Sequence, residues 1–217
     1  MYIRYYMTQS PVTIGPEKTI NEAQQLLENY QFRHLPVVDV SERLLGMVTD
    51  RDLRSAFPSS ILDEDERQQI LDRVHRTPVE EIMSTNNVAL TTVSTLDDAL
   101  LLFEKRTVGA LPVLNGANQV VGILSFNDLM SAWRSLFGLG EKGSALVAID
   151  VDHSSRSLSR LVQVLEEHEV LFTRLIRTDG SGREPALIYL RINTYNVRAV
   201  YKLIDEAGFK VHHPPES

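Results

Sequence analysis

Two tetrads carry the residue types best suited to chemistry, Thr49-Asp50-Arg51-Asp52 and Ser125-Phe126-Asn127-Asp128. Each sets a hydroxyl residue three places before an aspartate. If the hydroxyl opens a helix, the aspartate lies one turn in, among free amide donors and at the positive end of the helix dipole. An aspartate held there can accept two hydrogen bonds from a vicinal diol such as a ribose. The hydroxyl can donate to a phosphate or to the sugar. Arg51 and Arg54 flank the first aspartate and can neutralise phosphate, whereas the second has Asn127 and Met130. A phosphorylated nucleotide therefore suits the first tetrad better; the second suits a less charged ligand, or none. The same spacing is also an ordinary capping box, in which hydroxyl and carboxylate satisfy orphan amides. On these residues alone both readings stay open.

The tetrads are parts of a longer repetition. Residues 34–57, HLPVVDVSERLLGMVTDRDLRSAF, align without a gap to residues 110–133, ALPVLNGANQVVGILSFNDLMSAW, at a constant offset of 76. Leu35-Pro36-Val37 recurs as Leu111-Pro112-Val113, Gly46 as Gly122, and Asp52-Leu53 as Asp128-Leu129. Upstream, Met7, Val12, Thr19, Ala23 and Glu28 recur as Met83, Val88, Thr95, Ala99 and Glu104. An internal repeat sets the architecture before any single element does.

The elements that must position the tetrads follow in order. Val12 to Ile14 predicts a brief strand, closed by Gly15-Pro16. Thr19 with Glu22 opens a helix whose apolar face is Ile20, Ala23, Leu26, Leu27 and Tyr30. Leu35 to Val40 and Leu45 to Val48 pair across a turn, and Thr49 opens the next helix, which closes before Pro58. The unit is β-α-β-β-α. Residues 58–78 predict an amphipathic connecting helix, with a partner-docking helix as the alternative. The second repeat follows the same plan, from the strand Val88 to Thr92 through the helix opened by Thr95 to the helix opened by Ser125. LGEKGS then reads as a linker. From Ser144 the order is β-α-β-β-α-β, with an edge strand over Phe209 to His213, a ferredoxin-like pattern.

Composition limits the functions available. The chain has 217 residues, 43% hydrophobic and 24% charged, as in an ordinary globular protein. A net charge of −7 argues against a general nucleic-acid or anionic-membrane surface, though not against a local basic pocket. No cysteine is present, so disulfides and thiol catalysis are excluded and a reducing, cytoplasmic setting fits. No stretch has the length and apolarity of a membrane span. No metal-ligand spacing links the histidines, Asp63 to Glu66 reads as a solvated helix start, and Gly180-Ser181-Gly182 lacks the Lys-Ser/Thr of a phosphate loop. No catalytic residue is assigned.

The sequences RHLPVVDVSERLLGMVTDRDL and GALPVLNGANQVVGILSFNDL resemble the signatures of a tandem CBS-domain pair, the Bateman module. The resemblance covers about residues 1–137 and implies an α/β (α+β) fold: two β-α-β-β-α repeats in a pseudo-two-fold pair, with adenosine-ligand clefts between them. By position it implies Thr49, Asp52, Ser125 and Asp128 at the sugar and phosphate, with Arg51 and Arg54 beside them. It places Val12, Thr13, Ile14, Val88, Ala89 and Leu90 at the base, and Arg33, His34, Gly109 and Ala110 along the cleft. His34 is either a stacking partner for a base or a surface histidine. The C-terminal segment resembles an ACT domain by pattern. Together the two resemble the acetoin-utilisation B type of bacterial regulatory protein. The loop DVDHSSRS lacks the usual glycine of ACT ligand sites, so 144–213 reads either as a dimerisation or transmission domain or as an amino-acid site using Asp152, His153 and Ser154.

The expected domains are CBS repeat 1 over 1–57, a connecting segment over 58–78, CBS repeat 2 over 79–137 and an ACT-like domain over 144–213. The expected function is regulatory sensing. The pair is expected to bind an adenine nucleotide or other adenosyl ligand (AMP, ADP, ATP, NAD or S-adenosylmethionine), without a redox cofactor, and the expected partners are a second copy, as a homodimer, and an effector protein. The alternative is a structural dimerisation module with vestigial clefts. Nucleic acid and membrane are not expected partners, and no enzyme is expected.

Overall fold

The repetition becomes an exchange of leading segments between the two repeats. The computed structural model describes residues 1–58, 63–86, 88–151, 156–181 and 185–213. Repeat one contributes β1 (Thr8–Gln9), α1 (Ile20–Tyr30), β2 (His34–Val38), β3 (Leu44–Thr49) and α2 (Asp50–Ala56). A connecting helix α3 (Glu64–Val74) follows, then β4 (Leu90–Thr91), α4 (Leu96–Arg106), β5 (Ala110–Leu114), β6 (Val120–Ser125) and α5 (Phe126–Leu136) of repeat two. β1 does not pair within its own repeat. It lies antiparallel to β6, with Thr8 opposite Ile123. The sheet order is β1-β6-β5-β4, and β2-β3 form a second sheet.

The 76-residue offset is visible in the backbone bonds. Ile20 N–H donates to the Thr77 carbonyl, and Leu96 N–H donates to the Met1 carbonyl. Thr19 bridges Pro78, and Thr95 bridges Tyr2. Each leading segment thus crosses to the other repeat and satisfies amides at the start of its helix. Short 3-10 turns at Ile3–Tyr5 and Val79–Glu81 anchor these segments, with Ile3 and Val79 fully buried. Val79 joins Ile14, Ile20, Ala23, Leu27, Leu35, Val37, Val48 and Leu53 in the core of repeat one.

Two glycines let the leading segments approach. The nearest atoms to a Cβ on Gly122 would be those of the Met7 side chain, with Sδ at 2.5 Å. A Cβ on Gly46 would meet Met83 Sδ at 2.5 Å and also the Ser84 backbone carbonyl at 3.0 Å. A thioether can rotate away; a carbonyl in the Met47–Ser84 bridge cannot. Gly46→Ala is therefore expected to destabilise by about 1–3 kcal/mol and Gly122→Ala by less. Denaturant midpoints of the two variants check this, and equal losses would count against it.

The expected strands at Val12 to Ile14 and Val88 to Thr92 are shorter than the residue types suggested. Ile14 makes a single parallel bridge to Val37, and only Leu90–Thr91 forms β4, parallel to β5. Both positions run beside one strand only, so their pairing is set by the neighbour rather than by local preference. In the connecting segment α3 matches the predicted helix, and residues 59–62 lie outside the described residues.

Contacts divide the chain into Met1–Ala132 and Trp133–Ser217, so the division falls inside α5 rather than at LGEKGS. The second unit holds β7 (Ser144–Asp150), α6 (Ser157–Glu167), β8 (Phe172–Thr178), β9 (Leu187–Asn193) and α7 (Val197–Glu206). Its sheet order is β7-β9-β8, all antiparallel. The expected edge strand over Phe209 to His213 is reduced to one bridge, Val211 to Ile149. Val147 and Ile149 alternate along β7, and Ile188, Leu190 and Ile192 along β9. These residues meet Leu161, Leu165, Val200 and Ile204 of the helices in one core. Within this unit Arg174 donates to the Ser135 and Leu136 carbonyls at 2.8 and 2.9 Å and pairs with Glu141 at 2.9 Å. It thereby gives the Leu136 carbonyl at the end of α5 a partner and the Ser135 carbonyl, which also accepts from the Gly138 amide at 3.2 Å, a second one. Asp152, His153 and Ser154 lie outside the described residues.

Candidate ligand cleft

Both tetrads are complete capping boxes. Asp52 Oδ2 accepts from the Thr49 amide at 2.8 Å and from Thr49 Oγ1 at 2.7 Å, while the Asp52 amide donates to Thr49 Oγ1 at 3.3 Å. Asp128 repeats this with Ser125 at 2.8, 2.7 and 3.1 Å. The capping reading of the sequence therefore holds, and it does not exclude the other. One carboxylate oxygen takes both bonds. The aspartate is thereby fixed in one rotamer, and its second oxygen makes neither of those contacts. A carboxylate oriented in advance is what a diol acceptor requires.

The residue two places before each Leu-Pro pair caps the same helices. The Asp50 amide donates to the Arg33 carbonyl at 3.1 Å, and the Phe126 amide donates to the Gly109 carbonyl at 3.0 Å. These backbone bonds hold the Arg33-His34 and Gly109-Ala110 dipeptides against the tetrads. The side chains break the symmetry. Where repeat one has Arg33-His34, repeat two has Gly109-Ala110, and the His34 ring occupies the space left open. Its Nε2 and Cε1 lie 2.6 and 2.8 Å from where a Gly109 Cβ would stand.

A cavity of about 810 Å³ lies against this junction. It brings together Val12, Arg33, His34, Gly109, Ala110, Ser125 and Asp128 from the sequence-derived set. It does not include Thr49, Asp52, Arg51, Thr13, Ile14, Val88, Ala89 or Leu90. Thr13 and Ile14 line a separate hollow with Lys18 and Glu22. Ile14 and Leu90 are buried in the repeats. Arg54 lines a smaller hollow of about 210 Å³ between α1 and α2, with Leu27, Phe32 and Leu53. It pairs with Asp50 of its own helix at 2.9 Å, an exposed pair within the first tetrad's helix. The cation that lines the described cavity is Arg33, from the repeat opposite Ser125 and Asp128, and it lines the smaller hollow as well.

Three cavity groups escaped the sequence reading: the stacked pair Tyr30–Phe32, with ring centroids 5.8 Å apart, the half-exposed ring of Phe126, and the hydroxyls of Thr8 and Ser10. Tyr30 and Phe32 flank Gln31, whose left-handed φ of 54° ends α1 and turns the chain into the cleft. Thr107 does the same after α4 with φ 52°, so a repeated helix end was the available signal.

The electrostatics centre on His34. Burial pushes its pKa below the ordinary histidine value, and Arg33 adds to that, while Asp50 and Asp52 oppose it. Arg33 is exposed, and Asp128 and His34 are half-buried. The arrangement offers one cation, Arg33, one carboxylate held in place, Asp128, aromatic faces and the His34 imidazole. Among the described residues no group of three or more His, Asp or Glu side chains could hold a metal ion. No helix of the described residues is long and apolar enough to cross a membrane. In the second unit His212 Nδ1 meets Asp150 at 2.7 Å.

Comparison with known proteins bears on the same region. The CBS domain family model matches residues 3–59 and 79–135. A CBS domain-containing protein of Dictyostelium discoideum is 33% identical over 128 residues, covering 59% of this chain and 88% of the relative. The inosine-5'-monophosphate dehydrogenase of Aquifex aeolicus is 30% identical over 125 residues, 57% of this chain but only 23% of that enzyme. The similarity to this dehydrogenase is confined to the CBS part. Among solved structures, the Vibrio cholerae protein named for acetoin utilization (AcuB) is 29% identical with a TM-score of 0.54, covering 65% of this chain and 96% of that one. CBSX2 in complex with AMP shares the fold at 23% identity and a TM-score of 0.53, covering 63% of this chain and 98% of that one. The CBS domain pair of MJ0100, in complex with 5'-methylthioadenosine and S-adenosyl-L-methionine, shares it at 24% and 0.52, over 63% and 98%. With two copies of one family model spanning just over half of its 217 residues, the chain belongs to the CBS-domain family as a tandem pair.

Proposed function

We propose that the Met1–Ala132 unit senses an adenosyl ligand in the 810 Å³ cavity. The observation that carries this reading is the convergence on one cavity of Arg33 and His34 from one repeat with Ser125 and Asp128 from the other. Asp128 takes the ribose diol and Arg33 faces the phosphate. Tyr30, Phe32 and Phe126 offer faces to the base. A ligand seated there touches both repeats, so occupancy favours one arrangement of the pair over another, which is the differential affinity that regulation needs. The fold relatives solved with AMP, or with 5'-methylthioadenosine and S-adenosylmethionine, are consistent with ligands of this class.

The ligand-facing residues proposed for this cavity are Val12, Arg33, His34, Gly109, Ala110, Ser125 and Asp128. Thr49 and Asp52 with Arg51 are proposed for the pseudo-equivalent position in the other repeat. The Trp133–Ser217 unit is proposed as an ACT-type domain, because Val211, β7, β9 and β8 give the strand sequence of a ferredoxin-like sheet. Its role would be to dimerise and pass occupancy to an effector protein in the cytoplasm. Calorimetry with AMP, ADP, ATP, NAD and S-adenosylmethionine, on protein stripped of carried-over ligand, tests the reading. Binding of at least one at or below millimolar concentration is expected. Absence of binding by all five would leave a structural dimerisation module as the better account.

A further inference from the structure

We propose that His34 determines the charge preference of the cavity by taking up a proton when a phosphorylated adenosyl ligand enters. This rests on the adenosyl reading above and goes beyond it, because it assigns selectivity among adenosyl ligands to one side chain.

The geometry places His34 between the two tetrads. On β2 it stands opposite Thr49, the hydroxyl of the first tetrad. Its ring reaches the other way, over Gly109, into the cavity that holds Ser125 and Asp128. Gly109 makes this possible, since any side chain there would displace the imidazole. The groups that face the ring from the packed elements are Asp50 and Asp52 on α2, Arg33 just before β2, and Asp128 on α5 across the cavity. Gly109 and Ala110 add no charge. The cavity wall thus carries one fixed cation, Arg33, against the carboxylate of Asp128.

A phosphate monoester brings between about −1.5 and −2 charges at neutral pH, more than Arg33 alone balances. Of the cavity groups, only an imidazole changes charge near neutrality. The neutral ring is favoured by burial while the cavity holds no anion, and an anion beside it reverses that preference. Its pKa then rises on binding. Affinity for the phosphorylated ligand increases as pH falls through the window between the depressed value and the raised one. Adenosine, with no phosphate, meets the neutral ring and shows no such dependence.

The test is calorimetric titration of AMP and adenosine into the full chain and into His34→Gln, at pH 6.5 and 8.0, each in two buffers of different ionisation enthalpy. The second ionisation of AMP itself, near pH 6, is common to both proteins and cancels between them. The full chain should take up more protons on AMP binding than His34→Gln does. Divided by the same ratio in the variant, its ratio of AMP to adenosine affinity should be about 3- to 10-fold larger at pH 6.5 than at 8.0, the range a modest rise in imidazole pKa gives. Circular dichroism and thermal melting report that the variant folds, and taking the AMP-to-adenosine ratio within each protein removes any loss of adenosine contact that the substitution causes. NMR titration of the His34 ring in the unaltered chain, with and without AMP, gives an independent readout and should show the pKa rising. Equal proton uptake by both proteins, or an unmoved ring pKa in the presence of bound AMP, overturns the proposal while leaving adenosyl binding intact. Failure of both ligands to bind overturns this inference; the adenosyl reading itself falls only if ADP, ATP, NAD and S-adenosylmethionine also fail to bind.

Discussion

Asp128→Ala is expected to weaken binding of an adenosyl ligand by about 10- to 100-fold, the loss of hydrogen bonds to a charged acceptor worth about 1.5–3 kcal/mol. The carboxylate is held by the Ser125 amide and hydroxyl through one oxygen, at 2.8 and 2.7 Å. The other oxygen is the one a ribose would use. Ser125→Ala separates the two roles. It frays the cap, at a cost of about 1 kcal/mol of stability, yet leaves the diol acceptor in place. Its affinity should therefore fall less than that of Asp128→Ala. Asp52→Ala should have the smaller effect on this cavity, the reverse of what the flanking arginines suggested. Arg54 is engaged by Asp50 at 2.9 Å, and the cation that reaches the described cavity is Arg33. Calorimetry on the three variants decides the matter. A larger loss for Asp52→Ala than for Asp128→Ala would restore the first tetrad as the main site.

Ile3→Ala and Val79→Ala should each cost about 2–5 kcal/mol, as truncations of fully buried side chains do. The more informative expectation is where the damage appears. Ile3 N–H donates to the Ser94 carbonyl, and Met1 caps Leu96, so Ile3→Ala should raise amide exchange in α4. Val79 N–H donates to the Lys18 carbonyl, and Thr77 caps Ile20, so Val79→Ala should raise exchange in α1. Each change thus loosens the helix of the other repeat. Exchange confined to a variant's own repeat would contradict the exchange of leading segments.

Local chemistry explains what was legible beforehand. The capping boxes Thr19–Glu22, Thr49–Asp52, Thr95–Asp98 and Ser125–Asp128 span three residues, and all form. A hydroxyl and a carboxylate at that spacing can find each other whatever the rest of the chain does. The same bonds lower the carboxyl pKa values of Glu22 and Asp98, chiefly through the Thr19 and Thr95 backbone amides. The helices and the apolar β2-β3 and β5-β6 hairpins were readable for a similar reason, since periodicity and a short turn are properties of neighbours in sequence.

The repetition at 76 residues, and with it the twofold plan of the tetrads, was determined by the sequence alone. Only the tertiary structure decided how unequal the two copies are. Periodicity tells which face of an element is buried but not which distant element covers it. Arg54 paired with Asp50, Arg33 came to line the cavity that holds Ser125 and Asp128, β1 left its own repeat for β6, and Tyr30 and Phe32 came to line the same cavity. Each of these rests on a partner whose position depends on the packing of the two repeats against one another. At the centre, the absence of a side chain at Gly109 made room for His34. A glycine's vacancy has meaning only once something occupies it, and that occupant lies 75 residues away in the chain.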